Sequence, residues 1–438
     1  MVFYSTNNFQ ERVSFREAVL EGIARDGGLY MPVEIPSLPQ EFFSEIDRLS
    51  LPELSFQVAR AFLGGAIDEQ ELEQIVFDSL GMDAPLAEVT PGVFALELFH
   101  GPTLAFKDFG ARFLARTMAC LTRDEDREST VLVATSGDTG SAVAQGFYGV
   151  PGVKVCLLYP SGKVSRIQEQ QLTTLGGNIT AVEVAGTFDD CQRMVKEAFA
   201  DRVLTSEIRL TSANSINIAR LLPQMFYYFY AYSRLEKKQL PLVFSVPSGN
   251  FGNLTGGLFA WKMGLPVSRF IAATNFNDVV PEYLKNGAYR PRPSIPTISN
   301  AMDVGAPSNF ARMACLFGHD ADTFRKMISG YSFSDEVTRE CIRSVYEESG
   351  YIMDPHGAVA FCGLRSYMQE SESRELNGVF LETAHPAKFK DTMEDVLQRE
   401  IPVPERLAQC LDKPKKSVLI KSRLDELKSV LLVPGENV

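Results

Sequence analysis

The sequence predicts an α/β protein built on parallel sheets, and three observations carry that expectation. Short β-rich runs alternate with helical stretches from about residue 128 onward, which implies parallel strands with helices on both faces. The chain's 438 residues exceed one compact core, so two or three sub-domains are expected. Three turns, "SGDTG", "PSGK" and "PSGNFGN", directly follow strand candidates. In parallel sheets ligands bind at that end of the strands.

Each element has its local signal. Ser14 and Glu17 are spaced as a capping box that opens "SFREAVLEGIARDGG" as a helix, with Gly27 and Gly28 to end it. Residues 39 to 80 read as further helices. "STVLVAT" is a strand, then "SGDTG" and the helical "SAVAQGFYG". "VKVCLLY" leads through "PSGK" to the helix "VSRIQEQQLTTLG", and "NITAVEVA" leads to "TFDDCQRMVKEAF". A long helix is expected over 216–236. "LPLVFSV" precedes the glycine turn and the helix "LTGGLFAWKMG", while "RFIAATN" and "GVFLETA" read as later strands. No motif distinguishes 281–350, which is expected as a helical insertion.

Composition narrows the function. Hydrophobic residues make up 45% and charged residues 22%, as in an ordinary globular protein. Apolar runs break too early to cross a bilayer, and "MVFYSTNNFQERVSFREAVL" does not read as a secretory signal. Seven cysteines without C-x-x-C spacing suit reduced thiols, so a cytoplasmic protein is expected. A net charge of −12 argues against nucleic acid and anionic membranes as partners, while an anionic small molecule stays open if local donors outweigh the global field.

The chemistry-bearing stretches begin with "HGPTLAFKDFG". From Val89 to Phe106 the only charged residue is Glu97, and Lys107 then sits between Phe106 and Asp108. Partial desolvation disfavours an ammonium and exposes a nucleophilic amine. Lys388 and Lys390 rival it, but their polar, charge-rich stretch suits ordinary ammoniums. In "VPSGNFGN", Gly249 and Gly252 permit a tight turn whose N–H groups and helix start surround a phosphate; the bland alternative is a turn that binds nothing. In "ATSGDTGSAVA", Ser136, Thr139 and backbone N–H groups suit a carboxylate, or Asp138 merely caps a helix. "SANSINIARLLPQ" gathers Asn214, Ser215, Asn217 and Arg220 as donors for a second anion, or as a cap and a surface ion pair. His385 alone reads as structural. No metal-ligand spacing occurs, and no G-x-S-x-G elbow.

A secluded lysine with a phosphate cradle is what pyridoxal phosphate requires, because its aldehyde condenses with the amine while its phosphate anchors the ring. At this point a resemblance becomes specific. "HGPTLAFKDFGARFL" resembles the cofactor-lysine motif of threonine synthases, within the tryptophan-synthase-β-like, fold type II pyridoxal-phosphate enzymes. "YST", "SFREAVLEGIARDGGLYMP", "ATSGDTG", "YPSGKVSRIQEQQ", "SANSINIARLLPQ", "VPSGNFGN" and "TAHPAKFKD" resemble that family too, in order, from Tyr4 to about Asp391.

The resemblance implies two parallel-sheet α/β domains with the cofactor in the cleft. These comprise a helical N-terminal extension (1–90), a large cofactor domain (91–125 and 226–438, with the insertion at 281–350), and a smaller mobile domain (126–225). It implies a lyase that converts O-phospho-L-homoserine and water to L-threonine and phosphate, by γ-elimination and then β-addition of water. Lys107 would carry pyridoxal 5'-phosphate as a Schiff base. Ser248, Gly249, Asn250, Phe251, Gly252 and Asn253 would cradle the cofactor, and Thr383 would bind its pyridine nitrogen. Thr135, Ser136, Gly137, Asp138 and Thr139 would receive the substrate carboxylate. Asn214, Ser215 and Arg220 would bind its phosphate, with Asn253, Lys163 and Arg166 as lesser candidates. Many fold type II relatives carry Asn where this chain has Asp138, so Asp138 is either protonated by burial or serves another purpose. A monomer is expected. A phospho-lyase that releases a keto acid and a cofactor-free anion binder are the alternatives.

Overall fold

Two sheets organise the computed structural model, which describes residues 1–125, 127–135, 137–371 and 375–432. The larger has six strands in the order Ile328–Ser332, Arg269–Thr274, Leu242–Pro247, Asn377–Glu382, Val93–Glu97 and Leu86–Thr90. All its pairs are parallel except the last, which is antiparallel. The smaller is fully parallel, in the order Val418–Lys421, Ile179–Ala185, Val153–Pro160, Ser129–Ala134 and Arg209–Thr211. Ser129–Ala134, Leu242–Pro247 and Asn377–Glu382 are buried at every residue. Helices therefore cover both faces, as the alternation of elements predicts.

Five expectations change. The N-terminal extension is not purely helical, because Val2–Ser5 pairs antiparallel with both Asn8–Ser14 and Tyr30–Pro32. Its first helix does open on the Ser14/Glu17 capping box, but it ends at Gly22 (φ 73°) instead of Gly27. The helix expected over 216–236 is interrupted. Ile218–Leu221 gives way to a 3₁₀ turn, Leu222–Met225, before Phe226–Arg234, because Pro223 lacks the amide a continuous helix needs. The stretch 281–350 contains a strand, Ile328–Ser332, that extends the larger sheet. The C-terminal strand Val418–Lys421 pairs with Ile179–Ala185, so the tail belongs to the smaller sheet and not to the larger unit.

The N-terminal segment is structurally integral. Phe3, Tyr30, Leu54 and Phe62 share one buried apolar cluster with Phe109, Tyr228 and Phe244. Leu51–Leu63 shows how local sequence achieves this: Ser50 and Glu53 form its capping box, and Leu51, Leu54, Val58 and Phe62 line its buried face at helical spacing.

Candidate active site

A cavity of about 820 Å³ opens where strands of both sheets end, with Ala134 and Thr135 on one side and Pro247 and Thr383 on the other. Three helices begin on it: Lys107–Thr122, Asp138–Phe147 and Gly252–Lys262. The first amides of Lys107–Thr122 are taken up by the Ala105 and Phe106 carbonyls, while those that open Asp138–Phe147 and Gly252–Lys262 have no intrahelical partners, so N–H donors and the positive ends of helix dipoles meet at the cavity.

Lys107 is held there by its flanks. Phe106 N–H donates to the Thr383 carbonyl at 2.9 Å and His385 N–H to the Leu104 carbonyl at 3.1 Å, which ties the lysine loop to the end of a central strand. Leu104 has φ 56°, a left-handed conformation that is costly for a branched side chain and is held by these contacts. Burial pulls the Lys107 amine down to about 8; the Asp138 charge opposes that shift, while Lys388 and Arg220 reinforce it. Asp108 does not cap the helix. It accepts the Thr103 N–H at 2.8 Å and the Thr103 hydroxyl at 2.7 Å, bracing the loop from below.

The glycine turn presents backbone. Ser248 donates its hydroxyl to the Val246 carbonyl at 2.9 Å and does not line the cavity. Asn253 donates to the Pro247 carbonyl at 2.8 Å. Asn250 bridges outward, donating to the Ser215 hydroxyl at 2.6 Å and accepting the Ser308 N–H at 2.6 Å. Phe251 has φ 60° and turns the chain so that Gly252 starts the helix. Gly249 is required by packing, because a Cβ there would lie 2.8 Å from Met302 Cα. Gly249, Asn250, Phe251, Gly252 and Asn253 all line the cavity.

On the other wall, Thr135, Asp138 and Thr139 line the cavity, while Ser136 lies outside the described residues. The Thr135 hydroxyl accepts the Gly140 N–H at 2.8 Å and shapes the turn. Gly137 has φ 147° and backs onto the Gln168 side chain instead of facing the cavity. Asp138 is not protonated. Burial works against its ionisation, but Lys388 and Lys107 outweigh it and hold the carboxyl well below the usual range. Lys388, which its charge-rich sequence suggested would be solvated, is buried, with Nζ 2.7 Å from Asp138 Oδ1.

Asn214, Ser215 and Arg220 form the third wall. Arg220 is buried, donates Nη1 to the Ala213 carbonyl at 2.5 Å, and leaves Nε without a partner. Burial pulls its guanidinium down to about 10, and it makes no ion pair among the described residues. An exposed ion pair is thus excluded, and a buried cation facing a cavity suits an anion. Asn217 caps its short helix by accepting the Ala219 N–H at 3.0 Å. His385 likewise caps a turn, accepting the Ala387 N–H at 3.1 Å. Lys163 and Arg166 do not reach the cavity.

The sequence reading missed several residues. Arg312 is fully buried and holds the donor wall in place, donating to the carbonyls of Tyr30 (3.1 Å), Ser215 (3.4 Å) and Ile216 (2.6 Å). His356, paired with buried Asp354, lines the cavity and accepts the Ala301 N–H at 3.3 Å. "DPH" does carry a signal for a capped helix start with Pro at its first position, but not for what the imidazole faces.

A lysine amine lowered by burial, a glycine turn that presents amides at a helix start and the parallel-sheet cleft suit the class of pyridoxal-phosphate-dependent enzymes. Residues 83–380 match the family described as pyridoxal-phosphate dependent enzyme. Residues 2–80 match the threonine synthase N terminus and 357–431 the threonine synthase C-terminal region. A threonine synthase of Serratia marcescens is 44% identical over 436 residues, covering 99% of both chains. The crystal structure of threonine synthase from Escherichia coli superimposes with a TM-score of 0.91 at 44% identity, covering 99% of both chains. The pyridoxal-phosphate-bound threonine synthase of Brucella melitensis does so at 0.93 and 34% identity, covering 98% of both. The chain belongs to the threonine synthase family.

Proposed function

We infer that this enzyme converts O-phospho-L-homoserine and water to L-threonine and phosphate, the last step of threonine biosynthesis. The observation that carries the reading is Arg220, a buried guanidinium with a free Nε, on the wall of the same cavity as Lys107. One anion cradle serves the cofactor, and this second, charged one serves a phosphorylated substrate.

The residues fit the cofactor. Lys107 offers a lowered amine for the aldehyde, and the turn from Gly249 to Asn253 offers backbone amides at a helix start for the phosphate. Bound there, the cofactor supplies the conjugated system that accepts electrons from the substrate's α-carbon. Thr383 meets the ring nitrogen with a neutral hydroxyl, which does not force that nitrogen to be protonated. Lys107 Nζ, once released by the substrate's amine, carries protons to and from the substrate carbons. Thr139 and the first amides of the Asp138–Phe147 helix bind the substrate carboxylate. Asn214, Ser215 and Arg220 bind its phosphate and steady it as it leaves.

Water must attack only after phosphate departs, so the smaller unit (126–225, joined by Val418–Lys421) closes over the substrate. Phe188, Val195 and Phe199 from that unit line the cavity together with Thr6 and Gly28 of the N-terminal segment. We read the enzyme as a monomer acting in the cytoplasm. No described helix is long and apolar enough to cross a membrane. The test is threonine and phosphate release from O-phosphohomoserine, with wild type beside Lys107→Ala. Equal release of both by wild type is expected, with neither product nor a visible cofactor band in the variant; 2-oxobutyrate in place of threonine overturns the reading.

A further inference from the structure

Lys107 and Asp138 both line this cavity, and a second lysine, Lys388, pairs with Asp138. Lys388 Nζ lies 2.7 Å from Asp138 Oδ1 and donates to the Thr103 carbonyl at 2.9 Å, with its side chain fully buried. Gln168 Nε2 donates to the same Asp138 oxygen at 3.2 Å. Lys107 lies within the fields of Asp138, Lys388 and Arg220, yet makes no hydrogen bond or ion pair among the described residues. Its Nζ lies 6.0 Å from the centroid of the Phe106 ring. Asp108, the buried carboxylate next to Lys107 in sequence, is taken up by Thr103.

Where two ammoniums stand near one counter-ion, the one without an acceptor gives up its proton more easily. Lys388 Nζ has two acceptors, and Lys107 Nζ has none among the described residues. From this juxtaposition we propose that Lys388 is a positioning residue that occupies Asp138 and so makes the proton of Lys107 easier to lose. Without a cation at 388, the Asp138 charge acts on Lys107 alone and favours its protonated form, which cannot attack a carbonyl. Asp138 and Lys388 are then one device: the carboxylate stays ionised without silencing the nucleophile beside it.

This rests on Lys107 being the cofactor lysine. The test is a pH titration of the visible band of the Lys107–cofactor imine in the full-length holoenzyme, whose nitrogen is the Lys107 Nζ in question. In Lys388→Gln the midpoint should rise by about one pH unit, a tenfold gain in proton affinity. In Asp138→Asn it should fall by a similar amount, and in Lys388→Arg it should stay within a few tenths of wild type. A Lys388→Gln midpoint at or below wild type overturns the proposal. So does an Asp138→Asn midpoint that fails to fall, and that comparison holds even if Lys388→Gln does not fold. A wild type with no visible band overturns the cofactor assignment, and this proposal with it.

Discussion

The two anion sites proposed on this cavity are built on opposite physical principles. The turn from Gly249 to Asn253 holds no cation and spends the side chains of Asn250 and Asn253 on other parts of the protein, so it has only amides and a helix start to offer. The site at Asn214, Ser215 and Arg220 sits beside a helix of only four residues and relies on a buried guanidinium. A cofactor that is also fixed covalently needs its phosphate oriented more than attracted, and a neutral cradle costs little when empty. A substrate that comes and goes must be drawn from water, and a desolvated cation does that at the expense of stability in the empty protein. Asn250 joins the two by donating to Ser215, so the cradles are set in register by one amide.

The largest effect that follows is at Arg220. Arg220→Met should lower kcat/KM for O-phosphohomoserine by about 100-fold or more, near 3 kcal/mol, chiefly through KM. The visible cofactor band should be unchanged, and thermal stability equal or higher, because an uncompensated buried charge is gone. Arg220→Lys should recover only part of the loss, since an ammonium cannot form the planar fork. Loss of the cofactor band in Arg220→Met would mean that the two sites do not divide the work as described.

Gly249→Ala should give the reverse pattern. The added methyl meets Met302 Cα at 2.8 Å and the Ala301 carbonyl oxygen at 2.9 Å, both backbone atoms that cannot rotate away. Moving that turn costs about 2 kcal/mol and misaligns the cradle. Cofactor retention, measured by dialysis and band loss, should weaken by about tenfold or more, while KM in the fully loaded enzyme changes little. A KM effect as large as the retention effect would show that the cradles are not separable.

The same contrast explains what could be read from sequence. The glycine turn announces itself, because Gly249 and Gly252 after an apolar run leave few other interpretations. The strands beside it were equally plain, since Ser129–Ala134 and Leu242–Pro247 are β-rich runs bounded by turn residues. Arg220 was legible only in company with the other turns, because nothing local distinguishes a buried arginine from a surface one. Lys388 was misjudged for that reason. Its neighbours in sequence are polar, but its neighbours in space are Asp138 and the Thr103 carbonyl, hundreds of residues away. Arg312 gave no signal, as its partners are backbone carbonyls that only the fold assembles. The N-terminal hairpin was overlooked because short, half-exposed strands on a two-residue turn resemble a loop.

The smallest effect tests whether Arg220 is truly without a partner. Asp108 is the carboxylate whose charge reaches it. Burial pushes the Asp108 carboxyl up to about 6, against two hydrogen bonds from Thr103 that favour the ionised form. The folded protein therefore binds a proton between about pH 4 and 6 that the unfolded chain, with an ordinary aspartate near 3.9, does not. The resulting stabilisation is full below the unfolded value and lost as pH rises through 6. Urea unfolding of wild type and Asp108→Asn at pH 4.5 and pH 7 should thus diverge, with wild type losing roughly 1–2 kcal/mol relative to the variant. Adding Arg220→Met to both should leave that difference nearly unchanged if the guanidinium is held by carbonyls and awaits an anion. A difference that doubles would mean that Arg220 already serves as counter-ion to Asp108, and the contrast with the neutral glycine cradle would then collapse.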